Sequence, residues 1–334
     1  MSADTQAPKN PSLIYIPELD GLRAIAALAV VAFHCQIPGA LGGFLGVDVF
    51  FVLSGYLTTS LAFASVSRSS PASFVRFTLR RLRRLWPLLI TVCFAFIPMI
   101  LWRGLPILPE ILPGSLFYAN ITTASHGHPV LLVHAWTLGT EMQFYLLIAA
   151  LAFFVPNRKT AAMVAAVFFL TVTGYRIYVG SQVDWAFGFY SPFTHSSGLF
   201  LGAIIAINPL KKIAKPDQLF LIAISILLIA FSGAEFVTEL TLMLWISLVE
   251  IATAAVIISI LVGVGAVAKP LRLPVVRRLG VLSYGIYLWH YPITVALREN
   301  YSAGTAFLMT VAASVLLSAL SHKFIETRFQ VKRA

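Results

Sequence analysis

Acidic residues are scarce in this chain: 13 Asp and Glu stand against 24 Lys and Arg in 334 residues. Charged residues of both signs reach only 11%, less than half of what a soluble domain carries. Cysteine is rarer still. Cys35 and Cys93 both fall in apolar runs and make no CxxC, which excludes a disulfide framework. No Walker loop, GxGxxG or GxSxG occurs, which argues against nucleotide hydrolysis and a serine-hydrolase elbow. A cleavable leader is not expected either, because the first seventeen residues are polar with one base, Lys9, and the first helix reads as an uncleaved anchor. Internal repeats and low-complexity segments are lacking, and no soluble domain is expected after the last apolar run.

What the chain has is apolar sequence, 59% of the whole, in recurring runs of about 20 residues. That pattern predicts an all-α integral membrane protein of about ten transmembrane helices in one bundle. The spans are expected near 20–36, 44–65, 86–102, 134–155, 160–179, 192–207, 218–234, 240–267, 280–297 and 304–321. Residues 1–19 read as a tail or interfacial segment, 20–321 as the membrane domain and 322–334 as a second tail. Nineteen Lys and Arg fall between runs on one side, including Lys211 and Lys332, against Arg103 and Arg298 on the other. This asymmetry puts both termini in the cytoplasm and assigns the excess of bases to topology rather than to nucleic acid.

The stretch Asp20–Gly55 organises the rest. It reads as an apolar helix, a Gly/Pro-rich turn and the start of a second helix. Arg23 and His34 are eleven residues apart, about 16 Å at 1.5 Å per residue, and share one helix face. An Arg and a His on one stripe are costly against lipid and imply a polar interior. Asp48 opens the next helix, just across the turn from His34.

Three more stretches carry candidate chemistry. Arg80–Pro87 (RRLRRLWP) is a topology determinant touching anionic lipid, or a phosphate clamp in which Arg81 and Arg84 share a helix face. His134–Tyr145 (HAWTLGTEMQFY) places Glu141 about 10 Å below the outer end of its span, at a depth similar to His34, where a lone carboxylate needs a partner. Ser283–Pro292 (SYGIYLWHYP) places His290 near the midplane among aromatics that line a cavity or merely pack. His126 and His128 lack a third ligand and read as a hydrated loop, so no metal is expected. Arg176, His195 and Glu250 are polar groups in apolar surroundings to which the sequence gives no role.

Taken together, these stretches resemble the membrane acyltransferase-3 family, which O-acylates sugars and related hydroxyl acceptors. The likeness is carried in order by Leu19–His34, Gly46–Thr59, Arg80–Pro87, Trp136–Tyr145, Ser283–Pro292 and a terminal segment at His322–Glu326. Thr137 stands where the pattern has Ser, and Met142 where a neighbour of Glu141 is frequently acidic. The resemblance implies an acyl-CoA donor, most simply acetyl-CoA, with no tightly bound cofactor, and a glycan or other hydroxyl acceptor. It implies a bacterial inner-membrane enzyme. Arg23, Arg80, Arg81 and Arg84 would hold the phosphates of the donor, and the thioester would lie further along the first helix. His34 would act as general base or as an acyl-carrying nucleophile, oriented by Asp48 or Glu141. Trp136, Tyr145, Tyr287 and His290 are candidate cavity or acceptor residues. The rival class is a transporter or flippase using the intramembrane Arg, His and Glu as a substrate or proton path.

Overall fold

The computed structural model describes residues 15–182, 184–208, 210 and 212–329. The N-terminal tail before residue 15, Lys211, and the last residues including Lys332 and Arg333 lie outside that range. Among the described residues every regular element is helical, and strand pairing is limited to one isolated bridge, Ser67 to Ser70. The helices run in chain order as α1 (Pro17–His34), α2 (Gly46–Ser65), α3 (Pro71–Ala95), α4 (Ile97–Trp102), α5 (Ile107–Ser115), α6 (Ala119–His126), α7 (Trp136–Phe154) and α8 (Arg158–Ser181). They continue as α9 (Trp185–Tyr190), α10 (Ser197–Ile207), α11 (Pro216–Gly233), α12 (Ile246–Leu261), α13 (Pro274–Leu297), α14 (Ala303–Ser321) and α15 (Thr327–Phe329).

Among the described residues, seven helical stretches are long and apolar enough to cross a membrane, beginning at Gly43, Pro71, Val133, Arg158, Pro216, Thr241 and Ala303. Each of the other three expected spans also contains a helix, for a different reason outside that set. Helix α1 carries Glu18, Asp20 and Arg23, and the apolar run of α13 is diluted by Ser283, Tyr284, Tyr287, Trp289, His290, Tyr291 and Pro292. Helix α10 has eleven residues, about 16 Å at 1.5 Å per residue, against a hydrocarbon core of about 30 Å. The expected span 192–207 is therefore turn over its first five residues and helix over the other eleven. Boundaries shift elsewhere too. Helix α1 starts at Pro17, whose fixed φ suits a first helical position, rather than at residue 20. The expected tail from 322 begins as helix, a π turn over His322–Glu326 followed by α15.

Close backbone approach fixes the centre of the bundle. A Cβ on Gly55 would collide with the Leu199 carbonyl, and one on Gly202 with the Val52 carbonyl, so α2 and α10 touch along their backbones. Gly280 does the same for α13 against Asp20 of α1. Small residues at crossings let helices gain dispersion contact where lipid offers no hydrophobic drive. Arg272 adds a tie at one end of α1 by donating from Nε to Glu18 at 2.6 Å. The two helices that carry Arg23, His34 and His290 are thereby held as one unit.

Candidate active site

Among the described residues, three cavities with polar lining lie along α1. Arg23 lines the first two and His34 the third. The first lies between α1, α2, α3, α7 and α13. Arg81 and Arg84 reach it from α3, as their three-residue spacing predicts, together with Arg23, Glu141, Tyr145 and Ser54. The Nε atoms of Arg23 and Arg81 are buried and find no hydrogen-bond partner among the described residues. Guanidinium donors left in this state suit an anionic ligand.

The second cavity adjoins the first through Arg23, Arg84, Ser283 and Tyr284 and adds Arg80, Arg83 and the exposed Tyr15. Arg80 thus sits at a mouth rather than in the cleft, and Arg83, which the spacing argument passed over, joins it there. Tyr15 precedes the first helix, and its hydroxyl donates to Asp20 at 2.6 Å. Acceptance by that carboxylate raises the phenol above its ordinary pKa. Tyr284 closes the inner wall by donating to the Leu85 carbonyl at 2.5 Å, which pins α13 to α3.

The third cavity holds His34 among Val30, His134, Trp136, Tyr190 and Tyr287. Val47 and Tyr287 line both this pocket and the arginine cavity, so they form the partition between them. His34 Nδ1 lies 3.0 Å from His290 Nε2, and His290 Nδ1 lies 2.6 Å from the Tyr287 carbonyl oxygen. Tyr287 donates its hydroxyl to the His134 carbonyl at 2.8 Å and accepts from Thr137 Oγ1 at 3.1 Å. Threonine therefore supplies the hydroxyl that the serine of the expected pattern would supply. Met142 packs into the core.

Two expected partnerships are absent. Asp48 does not face His34: Asp48 Oδ1 is 2.7 Å from His195 Nε2, and both side chains are fully buried. Its position in the first turn of α2 aims it at the turn before α10, away from the end of α1. Glu141 does not reach the His34 pocket either. It accepts from Ser54 at 2.5 Å and from Tyr145 at 3.0 Å, within the arginine cavity. Helix α7 turns Glu141 toward α2 and α3, into the cavity lined by Arg23 rather than the pocket of His34. Trp136 lies between the two histidine systems, lining the His34 pocket with its ring 5.1 Å from that of His195.

His134 was not singled out from the sequence, although one signal for it was there. Pro292 has no N–H to give to the Leu288 carbonyl four residues earlier, so that carbonyl is free within α13. His134 takes it, with Nε2 at 3.0 Å. Arg176 and Glu250 form a separate, fully buried ion pair at 3.6 Å that Ser197 bridges. It braces α8 against α10 and α12 and lines none of the three cavities.

Comparison with known proteins follows the same lines. No solved structure gives a significant match. The chain is 28% identical to O-acetyltransferase OatA of Staphylococcus aureus, over 95% of this chain and 58% of that protein. It is 31% identical to peptidoglycan O-acetyltransferase OatA of Listeria monocytogenes, covering 94% and 55% of the two. With the putative peptidoglycan O-acetyltransferase YrhL of Bacillus subtilis it shares 30% identity, covering 93% and 54%. The chain thus spans little more than half the length of these relatives. The family model described as an acyltransferase domain matches residues 16–322, so this chain belongs to the acyltransferase-3 family.

Proposed function

We propose that the chain transfers an acetyl group from acetyl-CoA, bound at the arginine-lined mouth, to a hydroxyl of a cell-envelope glycan that reaches the His34 pocket from the other side. One observation carries this reading: the arginine cavity and the histidine pocket meet at a shared wall, Val47 and Tyr287, along the helix that bears both Arg23 and His34. Coenzyme A has phosphates that cannot enter hydrocarbon and a long, thin arm that can pass between side chains. Arg80, Arg83 and Arg84 at the mouth would hold its phosphates by charge-assisted hydrogen bonds. From Arg23 to His34 is about 16 Å along α1, a distance the arm would bridge.

At the far end His34 acts as general base on the acceptor hydroxyl, which attacks the thioester carbonyl. Tyr190 and Trp136 supply aromatic wall for a sugar ring. The relatives named as peptidoglycan O-acetyltransferases support a peptidoglycan-like glycan as the acceptor. Ten spans in a bacterial inner membrane, with both termini and the arginine mouth in the cytoplasm, fit the charge asymmetry of the loops. The transport alternative finds no support in the family match.

The test is reconstitution of the purified chain with labelled acetyl-CoA and an extracted envelope glycan. Label should appear on glycan hydroxyls as base-labile ester. Absence of transfer to any glycan, together with no acetyl-CoA hydrolysis, would sink the proposal. Label that instead stays on the chain when no acceptor is present would assign the alternative route through an acyl-histidine.

A further inference from the structure

His290 is fully buried in α13, and both of its ring nitrogens are engaged. The Tyr287 carbonyl can only accept, so the nitrogen 2.6 Å from it, Nδ1, carries a proton. The histidines that face carboxylates are His128, His195 and His322, and His290 is not among them. A buried imidazolium without a counter-ion is costly, so the ring is neutral and its Nε2 is a lone pair. His34 Nδ1 stands 3.0 Å from that lone pair and must donate to it. The proton of neutral His34 is therefore committed to Nδ1. Its Nε2 makes no hydrogen bond to any described residue, and the ring lines the pocket shared with Tyr190 and Trp136.

We propose that His290 is a positioning residue that selects the tautomer of His34 in which Nε2 is free to take the acceptor's proton. The proposal deepens the acyl-transfer reading and rests on it for its chemical consequence. The acceptor oxygen bonds to the thioester carbonyl carbon while its proton passes to His34 Nε2. The tetrahedral species then breaks its carbon–sulfur bond, and the leaving sulfur takes that proton as the CoA thiol. Throughout, His34 Nδ1 keeps its own proton on His290, and nothing is transferred through His290. Without His290 only the Val30 carbonyl, one turn below, remains beside the ring to bias the tautomer, and the form with its proton on Nε2 presents a donor where a base is required.

The experiment combines a spectrum with a substitution series. The purified chain, labelled with 15N-histidine and given neither donor nor acceptor, reports which nitrogen of His34 is protonated; the His34→Gln variant assigns the signal. Protonation at Nδ1 is expected, and protonation at Nε2 overturns the proposal. In His290→Gln the amide oxygen stands close to where Nε2 was, so turnover should stay within a few-fold and the tautomer should persist. His290→Asn falls one carbon short, and His290→Phe fills the volume with no acceptor. Both should lose roughly 10²-fold in kcat with the KM for acetyl-CoA unchanged, and both should show mixed protonation of His34. Wild-type kcat in the folded Phe variant would mean that the Val30 carbonyl, one turn below His34, holds the proton instead, and the proposal fails. So would a Gln variant as slow as the Phe variant. If the wild-type chain transfers no acetyl group at all, the acyl-transfer reading falls, while the resting spectrum still decides the tautomer.

Discussion

Asp48 and His195 lie 2.7 Å apart with no solvent exposure, joining the first turn of α2 to the turn that precedes α10. The other nitrogen of His195 is held by the Phe189 carbonyl at 2.5 Å. The pair is a structural brace next to the site, and its loss should show in stability before it shows in chemistry. Asp48→Leu strands the buried His195 donor and should cost about 3–5 kcal/mol, the scale for breaking a buried pair from one side. Pairing it with His195→Leu should recover part of that loss. Thermal unfolding in detergent of both single variants and the double variant measures the coupling. Additive losses would remove the brace.

Arg84 and His34 should separate holding the donor from transforming it. Arg84→Ala should raise the KM for acetyl-CoA by about 10-fold or more, since a charge-assisted phosphate contact contributes about 1.5–3 kcal/mol in ground and transition states alike. Excess donor should rescue it. His34→Ala should keep donor affinity and lose 10²–10⁴-fold in kcat. Calorimetry with CoA beside transfer rates reads both, and a His34→Ala chain with near wild-type kcat would move the reaction elsewhere.

Glu141 sits among the arginines, bonded to Ser54 and Tyr145, so its substitution should speak through the donor. Glu141→Gln should change the KM for acetyl-CoA several-fold while kcat changes less. Steady-state kinetics at varied donor concentration settles it: a fall confined to kcat would return Glu141 to the support of His34.

Pro292→Ala restores an N–H that competes with His134 for the Leu288 carbonyl. One net hydrogen bond contributes about 1 kcal/mol, so turnover should fall by roughly fivefold in a chain that still folds. The 15N signal of His134 should shift in step. An unchanged spectrum and rate would show that the carbonyl serves both donors.

Reporter fusions after Arg84 and after His128 should give opposite signals, because the bases divide so unevenly between alternate loops. Equal signals would overturn the ten-span arrangement.

The long apolar helices were legible because an apolar run of about 20 residues leaves the backbone few alternatives, whereas the short α5, α6 and α9 were not. The shared face of Arg23 and His34 was legible too, as it depends only on the pitch of one helix, and so was the common face of Arg81 and Arg84. What a single chain of letters hides is which helices cross. Asp48 is near His34 along the sequence, yet α10 packs against α2 so closely, glycine on carbonyl, that His195 arrives first. Glu141 falls in with Arg23 and the α3 arginines, because the facing of α7 is set by which helices it meets. Arg176 and Glu250 could not be paired at all before α8 and α12 were seen to meet at Ser197. His134 is the intermediate case, since Pro292 announces a vacant carbonyl without saying who will fill it.

The partition of Val47 and Tyr287 has an electrical consequence. A catalyst entered from both faces of a membrane is one missing wall away from being a pore. Each elementary charge that leaks across dissipates about 2.3 kcal/mol per 100 mV of membrane potential. At that wall Val47 is apolar and the Tyr287 hydroxyl is held by both Thr137 and His134, so neither side chain offers a hydrated ion a free polar group. A two-carbon acyl group on a slender thioester arm needs far less room than a hydrated ion. The width of that gap is therefore under two opposed demands, and enlarging it through Val47→Gly should discharge liposomes as well as alter the length of acyl chain accepted.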